Sequence, residues 1–590
     1  MTVSADFQAD ILLDKTADAG SPSRKRRKKS DVDSAPLSQS SSDVPSNAEA
    51  VTALNDCLLD LSHIAKLKQS YPSAPGYPHC VVKDVLEAKF FRELREEMVT
   101  SLAATFKETD LFKLYQTGDL ANLDGSDPEV RRKMPRLLAL RDAIYSPKFR
   151  AFVREITGCR PLTDRTDCSS NLYTQGCHLL CHDDVIGTRC ISFIIYLTDP
   201  DETWGAEDGG ALEIYPLSGD SLGVPKAVPL QNHPPKPNTM AFFTVLPGQS
   251  FHAVEEVYSE KMRLSISGWY HADDPPMGAE ALASLNQLQM RQDETPQAFS
   301  PLRLARALHR TASGPGSVNP LLARWVNPTY LTPGAIEQIA ARFQADKSIL
   351  LHEFLLPCVA MQAARLLRSQ DQADRVGGGQ KPTSEVGLAM MPWELIGPPH
   401  KQRYLRLGAT GLSSDPVEKA KTATDLMAAL RGLFGSEAFA RYLARLTGSI
   451  PSGVRTEARR FRPGLDYTLA HYGILTKDPR LDATLAFVDD GNKAKKELWE
   501  SGDVGGFGCY IKAEVGNDGA EAAESYRRQA HGEEDDQVLN VSAAHNALSL
   551  VLRETQAMRF VKYVSAAAPG SRWDVVSEYC LDGEERVSDR

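Results

Sequence analysis

The sequence predicts an α+β, mainly β protein that contains two β-domains of the same architecture, with flanking and connecting helices. Short β-branched and aromatic segments bounded by Gly and Pro recur between residues 168 and 270, as in a closed or sandwiched β-fold. Residues 51–150 instead place apolar side chains at helical spacing. The order of features in the first β-region returns, weakly, in the last part of the chain.

Length and composition indicate a multidomain globular protein. A chain of 590 residues exceeds what one hydrophobic core normally serves, so two or three domains are expected. Hydrophobic residues make up 42% and charged residues 24%, as in soluble proteins. No apolar run reaches the length of a membrane span, and the first residues lack the pattern of a secretory signal. We therefore expect an intracellular protein with no membrane partner.

The cysteines predict neither disulfides nor a structural metal. Ten cysteines are sparse and irregularly spaced, which argues against a disulfide framework. The one local cluster consists of Cys177, Cys181 and Cys190 beside His182. A zinc site would need a second paired knuckle at similar spacing, and none follows. Small buried side chains on strands are the preferred interpretation.

The first 50 residues are expected to form a disordered tail, because Ser, Ala, Asp and Pro dominate them and aromatic residues are almost absent. Within the tail, residues 24–29 read RKRRKK. A run of six cations in a chain of net charge −10 indicates a nuclear localisation signal. The alternatives are a solvated basic patch and a phosphate-binding arm. We expect the protein in the nucleus and cytoplasm.

Two helices are predicted ahead of the first β-region. Residues 88–98 carry apolar side chains on one helical face. Residues 127–144 form the second, with Asp127 as the N-cap and Pro128 in the first turn.

Four strands are predicted in the first β-region from their alternating or β-branched sequences and the turns that bound them. They cover residues 191–197, 211–215, 240–245 and 263–270.

The domain boundaries follow from these patterns. A first β-domain with its helices spans residues 51–275, and residues 276–330, which are rich in Pro, Gln and Ser, form a linker. Residues 331–590 hold a helical segment, including 335–343 and 357–367, and then a second β-domain, whose strands return after about residue 455.

The internal repeat rests on three matched stretches. These are residues 195–199 with 486–490, Trp204 and residues 208–210 with Trp499 and residues 503–506, and residues 262–265 with 558–561. Each match is weak, but their order is kept. The acidic residues 533–536 are expected on an exposed loop of the second domain.

A metal-binding constellation lies in the first β-domain. His182 and Asp184 are two residues apart, a spacing that places both side chains on one face of a strand. His252 follows 70 residues later, after a Pro-Gly turn. Two histidines and one carboxylate form the facial triad of non-haem iron oxygenases. Asp183 competes for the metal, but a regular strand would turn it away, so Asp184 is preferred.

Arg263, on the strand after His252, can hold the far end of a dicarboxylate through paired charge-assisted hydrogen bonds. Tyr173 and Tyr196 can add hydroxyl groups to the same cosubstrate, with plain packing as the alternative for each. Taken singly, His182 is also consistent with a core histidine, Asp184 with a turn acid and Arg263 with a surface cation. The set as a whole favours an Fe(II)- and 2-oxoglutarate-dependent oxygenase.

At this level the chain resembles a known family. The similarity is carried by residues 110–113 (DLFK), 118–123 (GDLANL), 181–184 (CHDD) and 460–469 (RFRPGLDYTL). These motifs are similar to those of the prolyl hydroxylases that act on a small-subunit ribosomal protein, comprising yeast-type enzymes and their animal counterparts. The resemblance covers roughly residues 55–590, and therefore both halves of the chain.

The resemblance implies two double-stranded β-helix (jelly-roll) domains, of which only the first is catalytic. It implies hydroxylation of a proline in the ribosomal protein at the decoding centre, with 3,4-dihydroxylation in fungal-type members. By resemblance, His182, Asp184 and His252 bind Fe(II), and Tyr173, Tyr196 and Arg263 bind 2-oxoglutarate. O2 is the oxidant and L-ascorbate a supporting reductant. Links to translation termination accuracy and oxygen-responsive transcription imply regulatory partners of the second domain.

The second domain departs from the catalytic pattern. The best counterpart of His182 is His471, which has no carboxylate two residues on. His545 and Asn546 stand near the expected position of the second histidine, and Arg559 is matched with Arg263. We expect a degenerate domain without iron. Two alternatives remain for the chain: a related oxygenase acting on another protein or a nucleic acid, and an oxygen-sensing regulatory binding protein.

Overall fold

The computed structural model describes residues 53–125, 128–219, 223–277, 298–304, 319–387, 392–408, 420–471, 474–512 and 538–581. The predicted basic run at 24–29 and the acidic stretch at 533–536 lie outside the described residues. Most of the predicted linker also lies outside them.

The described helices flank the two sheets. They are α1 (Leu61–Ser70), α2 (Ala88–Ser101), α3 (Pro128–Lys133), α4 (Pro135–Tyr145), α5 (Pro147–Thr157), α6 (Pro320–Ala323), α7 (Pro333–Asp346), α8 (Pro357–Ala373), α9 (Ala423–Phe434), α10 (Glu437–Thr447) and α11 (Lys493–Glu500). Short 3-10 turns occur at Asp56–Leu59, Tyr71–Ser73, Leu120–Gly125, Ala206–Asp208 and Pro328–Leu331. None of the described helices is both long and apolar enough to cross a membrane.

The helix predicted over residues 88–98 is confirmed as α2, and those at 335–343 and 357–367 as α7 and α8. The single helix predicted over residues 127–144 is wrong. Met134 leaves helical geometry at φ −130°, and α4 starts afresh at Pro135. Proline lacks the N–H that a continuing helix needs and restricts the residue before it, so it begins a new helix instead.

The first sheet is antiparallel and holds the four strands that the sequence predicts. Its members are β1 (His79–Lys83), β2 (Thr105–Glu108), β3 (Phe112–Gln116), β4 (Leu162–Tyr173), β5 (His178–His182), β6 (Arg189–Tyr196), β7 (Leu212–Ile214), β8 (Gln231–His233), β9 (Thr239–Thr244), β10 (His252–Val254) and β11 (Arg263–Ala272). They pair in the order β1-β9-β6-β11-β4-β3-β5-β10-β7-β8, with β2 on β3. Neighbouring strands are therefore mostly distant in sequence, as in a jelly roll.

The second half of the chain builds the same arrangement. Its strands are β12 (Ser300–Pro301), β13 (Ser348–Leu351), β14 (Trp393–Ile396), β15 (Gln402–Leu407), β16 (Pro451–Phe461), β17 (Tyr467–Thr468), β18 (Arg480–Phe487), β19 (Gly508–Lys512), β20 (Val538–Val541), β21 (Ala547–Arg553), β22 (Ala557–Val561) and β23 (Arg572–Leu581). They pair in the order β13-β21-β18-β23-β16-β15-β14, with β12 on β16 and β17 on β15, and separately as β20-β19-β22.

The two orders correspond strand by strand. In particular, β11 lies between β4 and β6, and β23 lies between β16 and β18. The predicted α+β, mainly β class with two jelly-roll domains is confirmed. The prediction that strands return only after residue 455 is wrong, because β13, β14 and β15 precede that point. These strands are short and stand among helices, where apolar runs cannot be assigned from periodicity alone.

Each sheet packs its outer face on helices. In the first unit, α5 begins at the Ser146 N-cap, whose hydroxyl accepts from Phe149 N at 3.2 Å, and ends at Gly158 with φ +64°. Its buried side chains, Phe149 and Phe152, pack on the sheet. The hydroxyl of Tyr270 on β11 also donates to Ile144 O at 2.8 Å. The helices therefore cover one face of the sheet, and the other face is left to form a site.

The two sheet units meet across a polar contact. The buried carboxylate of Glu256 accepts hydrogen bonds from Tyr563 OH (3.1 Å), the Ser565 hydroxyl and Ala566 N (2.8 Å). Lys562 reaches Glu108 at 3.4 Å on the other side of the contact. A buried charge is tolerated only when it is hydrogen-bonded or paired, so these contacts specify one relative placement of the two units.

Candidate functional site

Three predicted metal ligands lie close together where strands β5 and β10 of the first sheet pair. His182 ends β5 and His252 begins β10, and the two are directly paired across these strands. Their Nε2 atoms lie 3.2 Å from Asp184 Oδ1 and 3.4 Å from Asp184 Oδ2, respectively. One ligand atom from each residue lies within 4.8 Å of the others, and all three residues are buried. This is the only such three-ligand group in the described part of the chain.

Asp184 lies beside the two imidazoles, but the strand spacing that the sequence suggests is not what places it there. The strand ends at His182, and Asp184 sits in the following turn with φ +62°. Asp and Asn tolerate this left-handed conformation better than other residues. The turn, rather than the two-residue period of a strand, brings the carboxylate to the two imidazoles.

Backbone carbonyls fix both imidazole rings. His182 Nδ1 lies 2.8 Å from Leu180 O, and His252 Nδ1 lies 2.8 Å from Ser250 O. A carbonyl oxygen only accepts, so each Nδ1 carries the proton and donates it. Each Nε2 then faces Asp184, and once it has lost its proton it presents a lone pair to a divalent metal at the same place.

The charges in the triad favour an ionised carboxylate. Burial opposes ionisation of Asp184, but the charges and hydrogen bonds of His252 and His182 hold its pKa well below the ordinary value. Burial lowers the pKa of His252, and the nearby His182 lowers it further. One anionic oxygen donor and two nitrogen donors, with open directions between them, suit Fe(II).

Asp183 points away from the metal position, and its hydrogen bonds connect the two turns that carry metal ligands. Its Oδ2 accepts from Gly248 N at 3.0 Å, and its Oδ1 accepts from Val185 N at 3.3 Å. The Ser250 hydroxyl donates to the Asp183 carbonyl at 3.0 Å. These bonds join the turn that carries Asp184 to the turn before His252. The preference for Asp184 over Asp183 as the ligand agrees with this geometry.

Arg263 lies beside the triad with an unfilled hydrogen-bonding edge. The side chain is 1% exposed, Nε donates to Gly210 O at 2.7 Å, and Nη1 lies 3.4 Å from Ser265 Oγ. Its Nη2 has no hydrogen-bond partner among the described residues. A buried guanidinium without a counter-ion is costly, so this edge is suited to a carboxylate from a ligand.

The two predicted tyrosines flank Arg263. The guanidinium carbon lies 4.7 Å from the Tyr173 ring centre and 5.1 Å from the Tyr196 ring centre. The Tyr196 hydroxyl is buried and has no hydrogen-bond partner other than the neighbouring Arg263 among the described residues. Together with the Arg263 edge, it fits the far carboxylate of a dicarboxylate such as 2-oxoglutarate.

Two residues of the site were missed by the sequence reasoning. Trp269 donates from Nε1 to Asp184 Oδ2 at 3.0 Å and is covered by the Arg189 guanidinium at 3.5 Å. Trp269 is six residues after Arg263 on one strand, so the two-residue period could have placed both on one face. The buried Tyr77 hydroxyl lacks a partner among the described residues, and burial and the charge of Asp184 raise its pKa. No local signal marked Tyr77.

The cysteines near the triad take no part in it. Cys177, Cys181 and Cys190 are buried, and none belongs to the three-ligand group found in the described residues. Cys181 and Cys190 lie on β5 and β6, whereas Cys177 stands one residue before β5.

The second unit carries different residues at the corresponding positions. Strand pairing places Leu179 opposite Phe112 and Thr468 opposite Gln402 on equivalent strands, so His471 corresponds to His182 as predicted. The matching of Arg559 with Arg263 is wrong. Arg559 pairs with Tyr510 on β22 and β19, the place that His252 occupies on β10 and β7.

Arg572, not Arg559, is the counterpart of Arg263. Each begins the central strand of its sheet and donates to the second glycine of a Gly-Gly turn, Gly210 or Gly506. His545 and Asn546 are also misplaced by the repeat, because Asn546 corresponds to Asn238. Both asparagines have positive φ (+55° and +53°) and precede equivalent strands.

One substitution explains why the second unit cannot use a cosubstrate in the same way. Asp574 stands at the register position of Ser265, and its Oδ2 accepts from Arg572 Nε (3.2 Å) and lies 3.0 Å from Arg572 Nη2. The chain's own carboxylate therefore occupies Nη2, the nitrogen that has no partner on Arg263. With an arginine in place of His252 as well, the second unit has neither the metal ligands nor the anion seat.

Two family models match the chain. Residues 168–271 match the 2OG-Fe(II) oxygenase superfamily, a range that includes all of the triad and Arg263. Residues 318–586 match a family described as "Oxoglutarate and iron-dependent oxygenase degradation C-term". The two matches divide the chain as the two sheets do.

Similar proteins align along most of the chain. The prolyl 3,4-dihydroxylase OGFOD1 of Ostreococcus tauri is 41% identical over 512 residues, which cover 85% of this chain and 95% of the relative. The prolyl 3-hydroxylase OGFOD1 of Xenopus laevis is 27% identical and covers 83% of each chain. The prolyl 3-hydroxylase sudestada1 of Drosophila melanogaster is 27% identical, covering 83% of this chain and 80% of the relative.

Proposed function

Because the chain belongs to the OGFOD1 family of Fe(II)- and 2-oxoglutarate-dependent prolyl hydroxylases, we propose that its substrate is a proline of the small-subunit ribosomal protein at the decoding centre. The enzyme class rests on the family and on the triad of the first sheet. The ribosomal substrate is supported by the motif resemblance. It is also supported by the net charge of −10, which favours encounter with a basic protein.

Each residue of the site has a defined task in this reaction. His182, Asp184 and His252 would hold Fe(II) on one face and leave the opposite face open. Arg263, with Tyr173 and Tyr196, would seat the far carboxylate of 2-oxoglutarate and so orient its keto acid end towards the metal. Bound iron, 2-oxoglutarate and O2 supply the oxidation that exchanges a proline C–H for C–OH and releases succinate and CO2.

The protein supplies positioning and exclusion of water. The triad is buried against β5 and β10, and Asp183 and Ser250 hold the two ligand-bearing turns in register. Trp269 donates to Asp184 Oδ2 and so restricts the orientation of that carboxylate. Preorganised donors of this kind lower the cost of reaching the reactive geometry.

The proposal includes two hydroxylations of the same ring. It is supported by the higher identity to the prolyl 3,4-dihydroxylase (41%) than to the prolyl 3-hydroxylases (27%). Dihydroxylation would need the ring to be presented twice, with different carbons towards the metal.

The test is hydroxylation of a peptide that spans the decoding-centre proline. The full chain would be incubated with Fe(II), 2-oxoglutarate, O2 and L-ascorbate, and the peptide mass measured. We expect the mass of two added oxygen atoms, and no addition with His182→Ala or with a peptide whose proline is replaced by alanine. Succinate formation with an unmodified peptide, or modification outside the proline, would overturn the substrate assignment.

Cellular location and partners form a separate part of the proposal. We propose that residues 24–29 direct part of the protein to the nucleus. The cytoplasmic part would modify the ribosomal protein and so affect the accuracy of translation termination. Regulatory partners would bind the second unit. Replacing the six cations by alanine in a fluorescent fusion should remove the nuclear fraction. Stop-codon readthrough should change in cells with His182→Ala. An unchanged nuclear fraction, or unchanged readthrough, would contradict the respective proposal.

A further inference from the structure

The second unit contains a large cavity in the place where the first unit has its triad. The cavity has a volume of about 670 Å³ and is lined by His471, Tyr510, Arg559, Glu578 and further charged residues. His471 and Arg559 stand at the register positions of His182 and His252, so the cavity occupies the place of the first unit's metal site. Volumes of this size are usual for small-molecule sites.

Arginines crowd around one buried acid in this cavity. Glu578 lies 2.7 Å from a nitrogen of Arg455, 3.1 Å from Arg553, 3.6 Å from Arg480 and 3.9 Å from Arg559. One carboxylate therefore contacts four guanidinium groups. This carboxylate carries a single negative charge, against four positive charges on arginines that stay ionised at all ordinary pH values.

A second acid reduces this surplus without removing it. Asp482 lies 2.9 Å from both Arg553 and Arg559. Arg480 has no second acidic partner among the described residues, and its buried Nε has no hydrogen-bond partner there. Four guanidiniums thus share two carboxylates, and the third acid of the cavity, Glu457, is divided between Arg559 and Arg406, so the cluster keeps a surplus of positive charge.

The surplus faces the cavity. The side chains of Asp482 and Glu578 are 0% and 3% exposed, so the acids form the floor. Arg480, Arg559 and Arg455 are 17%, 25% and 28% exposed and form the layer above it. The Phe299 ring lies 4.8 Å from the Arg455 guanidinium and 5.3 Å from that of Arg480, which restricts both groups.

The cluster is separate from the degenerate cosubstrate seat. Arg572, the counterpart of Arg263, is occupied by Asp574. The cluster stands at other register positions: Glu578 takes the place of Trp269, and Arg455, which pairs with it, takes the place of Asp167. A cationic site has therefore been built where a metal site stands in the other unit.

We propose that this cavity binds a small molecule through a phosphate group. Three guanidiniums that all reach one carboxylate lie close enough to share one further anion. A phosphate monoester carries about −1.5 to −2 charges and three strong acceptor oxygens, which matches the surplus and the number of cavity-facing arginines. The inference is independent of the prolyl substrate.

The test is calorimetric titration of inorganic phosphate into the full chain at constant ionic strength. We expect saturable binding of one phosphate per chain and a rise in the thermal midpoint over a chloride buffer. Arg480→Gln and Arg455→Gln should each weaken binding roughly tenfold or more, because each removes a charge-assisted contact. Arg441→Gln is the matched control, since Arg441 forms an exposed ion pair with Glu437 on α10.

The Arg263→Gln variant distinguishes phosphate bound in the first unit from phosphate bound in the cavity of the second. Phosphate binding that survives Arg263→Gln and falls in both cavity variants supports the proposal. Absence of saturable binding, loss of it with Arg263→Gln, or wild-type affinity in folded Arg455→Gln and Arg480→Gln overturns it. If succinate saturates the cavity and phosphate does not, the assignment to phosphate is wrong.

Discussion

Replacing Ser265 by aspartate should close the cosubstrate seat of the first unit. Ser265 Oγ lies 3.4 Å from Arg263 Nη1, and the second unit shows what a carboxylate does at this register position. There Asp574 lies 3.0 Å from Arg572 Nη2 and accepts from Nε at 3.2 Å. Ser265→Asp would give Arg263 an internal partner and repel the incoming carboxylate.

The size of the effect follows from the contacts that the cosubstrate loses. Two charge-assisted hydrogen bonds are worth roughly 1.5–3 kcal/mol each, and each 1.4 kcal/mol is a factor of ten in affinity. The dissociation constant for 2-oxoglutarate should therefore rise roughly a hundredfold or more. The metal triad does not contact Ser265 and should keep its affinity.

Titration of 2-oxoglutarate into protein loaded with Mn(II) measures this directly. Ser265→Asn is the matched control, because asparagine has nearly the same size as aspartate but no charge. It should weaken 2-oxoglutarate binding much less than Ser265→Asp. Metal affinity, measured separately, should stay within a few-fold of wild type in both variants. A Ser265→Asp protein that binds 2-oxoglutarate within threefold of wild type would refute the role of Arg263.

Two other predictions follow from the same structure. Gly210→Ala should weaken 2-oxoglutarate binding, because the added Cβ would lie 2.9 Å from Arg263 Cδ, and should lower stability by roughly 1–3 kcal/mol, because φ is +68°. Gly219→Ala, with φ +63° and no atom within 4 Å, should lower stability similarly in thermal melts and leave affinity unchanged; equal affinity losses would contradict the steric reason. Burial, with the charges of Lys401 and His471, lowers the pKa of His400 to about 3. Below about pH 6.5 this histidine is therefore protonated in the unfolded chain but not in the folded one, so the free energy of unfolding decreases as the pH falls. This group should cost about 2 kcal/mol at pH 5, and urea unfolding at pH 7 and pH 5 should show a smaller loss in His400→Gln than in wild type; an equal loss would contradict the sign or the source.

The chemistry of the site could be predicted from sequence because it depends on residue types. Imidazole, carboxylate and guanidinium groups can be read directly from the sequence, and a His-x-Asp pair can be recognised with little knowledge of the fold. Tyr77 could not be found in this way. It reaches the site only through the pairing of β1 with β9, which joins residues about 160 apart in sequence.

The errors in the second unit have a common cause. Arg559 follows a methionine as Arg263 does, so local similarity suggested the match. Strand register decides the question differently, because a strand's neighbours in a jelly roll are not its neighbours in sequence. The role of Asp574 became visible only when its register position could be compared with that of Ser265.

The helices show the same limit at shorter range. The apolar pattern from residue 128 to 144 is continuous, but Pro135 divides it into α3 and α4. The pattern indicates which side chains are buried, whereas the backbone chemistry of one residue decides where a helix ends.

The central claim is that only the first of two similar units carries the reaction chemistry. Native mass spectrometry of the full chain with Fe(II) under anaerobic conditions tests it most directly by counting metal ions. We expect one ion per chain in wild type, none in His182→Ala, and one in His471→Ala. Two ions per chain in wild type, or one remaining in His182→Ala and lost in His471→Ala, would contradict it.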